Sequence, residues 1–580
     1  MKTLFPTNAA ALGAGVHRIA GALCTGAHCI AAALCAGVHR IAAAFGAGVL
    51  LLSGCFQHVE ADLVVHNAVI HSMDEAGTVH QAMAVKDGRI LELGPEREIL
   101  NRYRAKEHYD AAGRSVYPGF IDGHCHFLGY GLNKQKVDLT GTRSWAEVLE
   151  RTAAFARTHP GTGWLLGRGW DQNDWPGAPW PDNTALDSLF PDRPVLLQRV
   201  DGHAAVVNSA AMRTVGLDVE AEVEGGLLVK RDGRPTGLLV DNAVNVFQRI
   251  FDDADEATKR QALLDAQADC LAAGLTMVVD AGLDTNTIAL IRRMQQEGVL
   301  RIRVYAMVAD GAANLAHFAK HGAIDDERLK VNSVKVYADG ALGSRGALLK
   351  APYHDQAGHH GLQLATREHF AEVAAWCKAH GFQMNTHCIG DSANKLLLDV
   401  YGEVLGGTND RRWRIEHAQV VSPQDRPLFA RYSIVPSVQP THATSDGPWA
   451  EQRLGPDRIA HAYAYEDLRR TMGLVALGTD FPVEGIDPLQ TYRSAVLRQA
   501  ADGWPEGGYQ PANALKPMDA LRGITIWNAL ATFTEDELGS LEAGKRADLT
   551  VVDRDLAKAD AEGLRKARVV ATFVNGERLH

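Results

Sequence analysis

The chain of 580 residues contains no Cys-X-X-Cys pair and only eight cysteines. Cys24, Cys29, Cys35 and Cys55 fall in its first tenth, and Cys125, Cys270, Cys377 and Cys388 are scattered beyond. That spacing excludes a zinc ribbon and argues against a dense disulfide framework. There is no run of lysines and arginines either, and the net charge is −11. A nucleic-acid surface needs a basic face, so nucleic acid is not an expected partner. Beyond residue 54 no stretch is apolar enough to cross a bilayer, which confines any membrane contact to the N-terminus. What is left is ordinary globular composition, 46% hydrophobic and 22% charged, in a length that suits one large enzyme domain with accessory pieces.

Residues 1–54 lack acidic side chains altogether, carry Lys2, Arg18 and Arg40, and are rich in Ala and Gly. A short unit recurs every eleven residues, "VHRIA" at 16–20, "AHCIA" at 27–31 and "VHRIA" at 38–42. Eleven-residue repeats can mark helical supercoils, but three Gly-containing copies are too few, and we read a duplication within a leader. After Arg40 comes the short apolar run "IAAAFGAGVLLLSGC", too short to span a membrane and laid out like a secretion signal. "LLSGC" resembles the bacterial lipoprotein signal, in which cleavage precedes a cysteine that is then lipidated. The expectation is a leader over 1–54, a lipid on Cys55, and an exported bacterial protein, periplasmic or tethered to a membrane by that anchor alone.

In "PGFIDGHCHF" (118–127) His124 and His126 stand two residues apart at the end of an apolar stretch. In a strand they share a face while Cys125 points to the other, and two imidazoles aimed at one spot suit a divalent metal or, as well, an ordinary polar strand end. Eight strand-like runs follow one another, most separated by helical patterns: 115–127, 276–282, 301–308, 331–340, 381–390, 412–419, 433–440 and 474–483. Among the helices, 256–274 and 366–381 are helical patterns, and 422–432 offers Ser422 as N-cap with Pro423 at the first helical position. Eight strands alternating with helices predict an α/β fold, a (β/α)8 barrel whose reactive groups sit at the C-terminal strand ends. At those ends stand His124 and His126, Lys335, His387, His417 and Asp480.

With "GFIDGHCH", "VKVYADGALGSRGA" (334–347), "NTHCIGD" (385–391), "RIEHAQ" (414–419) and "LGTDFPV" (477–483), nearly everything after about residue 60 resembles the metal-dependent amidohydrolase superfamily. The closer resemblance is to its YtcJ-like branch (amidohydrolase family 3), which includes N-substituted formamide deformylase. The inserted "GRGWDQNDWPGAPWPDNTALD" (167–187) and "DRPVLLQRVDGHAAVVNSAAM" (192–212) are typical of that branch. The resemblance implies that His124 and His126 bind one divalent ion, Zn2+ above all, and that His387 and His417 bind a second. Asp480 then contacts the first ion and the attacking water, and Lys335 occupies the position of a carboxylated lysine that bridges two ions. Without that modification a site for one ion is expected.

The resemblance also implies a small flanking β-sandwich from both termini, over 55–114 and 536–580, beside a barrel over 115–535. Short β-like runs with a "DG" turn in 61–94 and their echo in 545–555 and 569–580 agree. Residues 128–275, between the first two barrel strands, form a large insertion that leaves from the substrate-binding end. It carries Trp164, Trp170, Trp175 and Trp180, together with Asp171 and His203. At least two of the tryptophans are expected in an accessory core, and Trp170 and His203 are expected to wall the substrate. The resulting expectation is a hydrolase of a non-peptide carbon–nitrogen bond in a small-molecule amide, N-acyl or N-formyl amine, with Asp480 moving the proton. The same scaffold carries ester, lactone, phosphotriester and deaminase chemistry. The rival from another class is a surface-tethered binder of metal or ligand, which has no need of Asp480 as a proton carrier.

Overall fold

The computed structural model describes residues 58–217, 222–247, 250 and 254–580, so the leader and Cys55 lie outside the described residues. Eight parallel strands pair in chain order: Phe120–Cys125, Leu275–Leu283, Arg303–Ala309, Leu329–Tyr337, Gln383–Cys388, Arg414–His417, Val435–Val438 and Ala476–Leu477. Alternation sorts their side chains. Val278, Val304, Val334 and Val336 face the surrounding helices, while Ile121, Met277, Val279, Tyr305 and Met307 fill the interior. That apolar layer, backed by Ala529 and Leu538, plugs one end and leaves the polar residues to the other, as in a (β/α)8 barrel.

The first and eighth strands are joined without a ladder. Just past the short eighth strand, Asp480 N–H donates to the His124 carbonyl (2.8 Å) and His126 N–H to that of Phe481 (2.8 Å). Below them the Asn528 side-chain amide bridges the carbonyls of Ile121 (2.6 Å) and Leu477 (2.8 Å). Gly478 is required at this crossing, because a Cβ there would stand 2.5 Å from the His124 nitrogen.

Two readings of local structure change. The run 115–127 is two strands: Ser115–Pro118 belongs to a flanking sheet, and the first barrel strand begins at Phe120. Gly119 makes the break; its N–H goes to Asp548 and a Cβ would lie 2.2 Å from Thr276 Oγ1. The helix placed from Ser422 begins instead at Pro427, its first residue, after a turn closed by Asp425 N–H on the Ser422 carbonyl. Ser422 is occupied elsewhere, donating from its hydroxyl to Asp391 (3.2 Å). The helices Glu256–Ala272 and Arg367–His380 form as read, with Asp255 and Thr366 capping their first N–H groups.

Flanking the barrel, two sheets share one apolar core of Leu63, Val65, Met83, Val116, Leu549 and Phe573, with strands from both termini. The Asp87–Gly88 turn, both residues at positive φ (49° and 74°), is the expected hairpin between Ala82–Lys86 and Arg89–Gly94. The insertion builds a six-stranded sheet of its own between Val137 and Asp241. Cys125, Cys270, Cys377 and Cys388 are buried free thiols. No helix among the described residues is long and apolar enough to cross a membrane.

Candidate metal centre and substrate cavity

The C-terminal strand ends open into a cavity of about 1380 Å³, walled on one side by the insertion. His124 closes the first strand, and His126, one residue beyond it, caps the helix Phe127–Asn133. Their meeting point therefore owes as much to the strand-to-helix corner as to strand alternation. Asp122 braces that corner: its carboxylate accepts from His124 N–H (3.1 Å), Thr479 N–H (3.0 Å) and Thr479 Oγ1 (2.7 Å). Burial pushes the Asp122 carboxyl up to about 7.

Asp480 stands at the centre. Its Oδ1 lies 3.3 Å from His126 Nε2 and 3.6 Å from His124 Nε2, and its Oδ2 lies 3.6 Å from His442 Nε2 and 3.9 Å from His417 Nδ1. Against the penalty of burial, the imidazole of His126 and the fields of His124 and His417 hold this carboxyl well below the usual range. Asp480 and His417 both sit in the left-handed region, at φ 62° and 71°, a strain concentrated where two site residues turn into the cavity.

Two groups of donors share Asp480, His124 with His126 and His417 with His442, each drawn within 4.8 Å. His387 belongs to neither, although its ring centroid is 4.6 Å from that of His417. Lys335, inside the fourth strand, brings Nζ to 3.4 Å from His124 Nε2, and burial lowers it to about 8. It does not pair with Asp339, whose carboxylate accepts N–H groups from Leu348, Ile389 and Gly390.

The residues fit a divalent cation. Asp480 Oδ1, His387 Nε2 and His442 Nε2 are buried without a hydrogen-bond partner, an expense a fold tolerates where something else satisfies them. The ring orientations agree. His124 Nδ1 is clamped by Glu416 (2.5 Å), itself gripped by Arg414, which leaves Nε2 for a ligand. Burial, aided by Lys335, drops His124 to about 4 and keeps it neutral, the form that ligates. His417 Nδ1 similarly meets Gln439 Oε1 (2.8 Å). Imidazole and carboxylate donors suit zinc and its neighbours.

His203 lines the cavity, its Nδ1 2.7 Å from Asp241 and its ring 5.0 Å from that of His387. Burial opposes protonation, but the Asp241 carboxylate outweighs it and raises His203 above the usual value. Trp170 is a correction: it is fully buried among Trp175, Trp180 and Leu197, its indole N–H on the Leu197 carbonyl (2.8 Å), and does not reach the cavity. The cause is a β-bulge. The pairing with Val195–Arg199 slips between Arg168 and Trp170, where Gly169 sits at φ 117°, so Trp170 turns to the core face while Arg168 keeps the cavity face. His442 had no part in the sequence reading. It lies in the helix Pro440–Ser445 that follows the seventh strand, and a histidine just past a barrel strand was the signal available.

A barrel whose strand ends converge histidines, a lysine and an aspartate on one cavity defines a metal-dependent hydrolase scaffold. Residues 107–580 match the amidohydrolase family, and the chain belongs to it. It is 31% identical to YtcJ of Bacillus subtilis over 521 residues, 88% of this chain and 98% of that one. It is 27% identical to N-substituted formamide deformylase of Arthrobacter pascens over 534 residues, 89% of this chain and 97% of the relative. Among solved structures, an uncharacterized metal-dependent hydrolase from Pyrococcus horikoshii superposes with a TM-score of 0.71 at 25% identity, covering 86% of this chain and 99% of its own.

Proposed function

We propose that this hydrolase cleaves a non-peptide carbon–nitrogen bond in an N-formyl or N-acyl amine, and that Zn2+ is its metal. The observation that carries the reading is the placement of one buried, ionised carboxylate, Asp480, among His124, His126, His417 and His442 at the floor of a cavity. The formamide deformylase relative, similar over nearly its whole length, supports the bond type. His124, His126 and Asp480, one of the two donor groups, would hold one cation. In this reading Lys335, His387 and His417 would hold a second, with His442 grouped beside His417 and Asp480. A cation held there acidifies water and polarises a carbonyl oxygen. Asp480 takes the proton of the attacking water and returns it to the leaving nitrogen. His203, held by its pairing with Asp241, orients the carbonyl oxygen from the insertion side.

Lys335 carries a carboxyl group in this reading. The ammonium first loses one proton; the neutral amine then attacks CO2, a C–N bond forms as one C–O π bond opens, a second proton leaves to solvent, and an anionic carbamate replaces the repelling cation. Metal analysis of purified protein, with N-formyl and N-acyl amines assayed before and after chelation, tests the whole reading. Turnover of an amide that is lost to chelator and restored by Zn2+ is expected; bound metal without turnover of any amide would leave a binder, and the proposal would fall.

We also propose that the protein is exported and tethered through Cys55. Mass spectrometry of the membrane fraction should find the chain starting at an acylated Cys55. An unmodified leader on a cytosolic protein would sink the idea.

A further inference from the structure

Two arginines of the insertion line the cavity, and they differ in one respect. Arg199 is saturated, contacting both Asp171 and Asp201, with Nε on Gln172 Oε1 (2.9 Å). Arg168 has no carboxylate within 4 Å among the described residues; Nη2 donates to the Val200 carbonyl (3.0 Å), Nη1 reaches only Gln198 Oε1 at 3.4 Å, and Nε is buried without a partner. Asp201, which also lines the cavity, is committed elsewhere. Asp201 has one oxygen on Arg199 and the other on His203 N–H (2.9 Å). A guanidinium does not shed its charge, so it persists in the cavity wall with most of its five donors uncommitted.

The surroundings say what fits there. Arg168 shares the cavity wall with Asp480 and Tyr337; burial lowers its pKa, and the fields of Asp201, Asp480 and the Tyr337 phenol oppose that. Tyr337 is 39% exposed, at the end of the strand that carries Lys335. On the His442 side, by contrast, the cavity presents Asp446, which accepts from Tyr463 (2.8 Å), and Glu484, which accepts from Ser445 (2.6 Å). Burial raises both carboxyls, Asp446 to about 7, and neither has a Lys or Arg within 4 Å among the described residues, so that side offers no cation to pair with an anionic group, whereas Arg168 does. Planar two-point recognition of a carboxylate is what a free guanidinium does best.

We infer that Arg168 is a specificity-determining residue that binds a carboxylate on the substrate's amine portion, so that the substrate class is N-formyl or N-acyl amino acids. This rests on the amide-hydrolase reading above and narrows it. Two compounds differing only in that group test it: N-formylphenylalanine and N-formylphenethylamine, assayed with the metal-loaded enzyme and with Arg168→Gln and Arg168→Lys. The enzyme should favour the acid in kcat/KM. In Arg168→Gln that preference should collapse about tenfold to a hundredfold, the scale of a hydrogen bond to a charged group, through KM and not kcat, and Arg168→Lys should restore part of it. A preference for the neutral amide, or one that survives Arg168→Gln, overturns the inference while leaving amide hydrolysis standing. Should neither compound turn over, calorimetric titration with N-formylphenylalanine decides. Binding that depends on Arg168 supports the inference even as the hydrolase reading fails, and binding that is absent or indifferent to Arg168 overturns it.

Discussion

Asp480→Asn is expected to keep most of the bound metal while turnover falls by roughly a hundredfold to ten-thousandfold, the usual scale for general acid–base catalysis. Asparagine preserves the shape and one oxygen donor, and the four imidazoles around the position remain. It cannot accept a proton at neutral pH. The split between retained metal and lost rate therefore separates Asp480 as proton carrier from Asp480 as ligand. Metal content and kcat measured on one preparation read it directly. If both fall together in proportion, Asp480 acts mainly as a ligand; if activity survives, the proposed mechanism is wrong. Residual turnover is expected from carbonyl polarisation alone.

The second large effect is expected at Lys335. Lys335→Ala removes the lysine placed beside His124 Nε2 and should cost much of the metal the protein retains on purification. Short carboxylic acids, diffusing into the space vacated, should restore part of the metal and of the activity by standing in for the carbamate. Full metal occupancy with unaltered turnover in Lys335→Ala would refute a bridging role. Unmodified Lys335 is a cation packed over the Tyr337 ring at 4.8 Å. As an ammonium it would repel a metal; as a carbamate it would attract one, so loss of metal distinguishes the two forms.

The barrel was legible because its strands read as apolar runs separated by helical patterns and its reactive groups fall at their ends, a pattern that survives without knowledge of any contact. The failures share a cause: each turned on a backbone event between elements. Gly119 divides one apolar run between two sheets, and nothing in hydrophobicity marks the division. Gly169 reverses the face on which Trp170 lies, so a tryptophan beside cavity residues goes into a core. Pro423 and Pro427 both suit a first helical turn, and the hydroxyl of Ser422 is engaged by Asp391. His442 was illegible for the converse reason: it sits on a short helix after its strand, where spacing along a strand no longer predicts direction. The same holds for Glu416, a mid-strand acid whose role became visible only with its distance to His124.

The seam of the barrel has a thermodynamic consequence. Its first and eighth strands meet through the backbone of His124, His126, Asp480 and Phe481, three of which carry the side chains of a candidate metal site. Whatever those side chains hold is thus a clasp on the closed cylinder. A ligand bound only by the folded chain stabilises it by about 4 kcal/mol at a thousandfold excess over Kd, a large share of a typical folding free energy. Without it, the Asp480 carboxylate at this join keeps a buried oxygen that no hydrogen bond satisfies. Chelation should therefore lower the Tm while a protein of typical stability stays folded, so that turnover is lost before the cylinder opens.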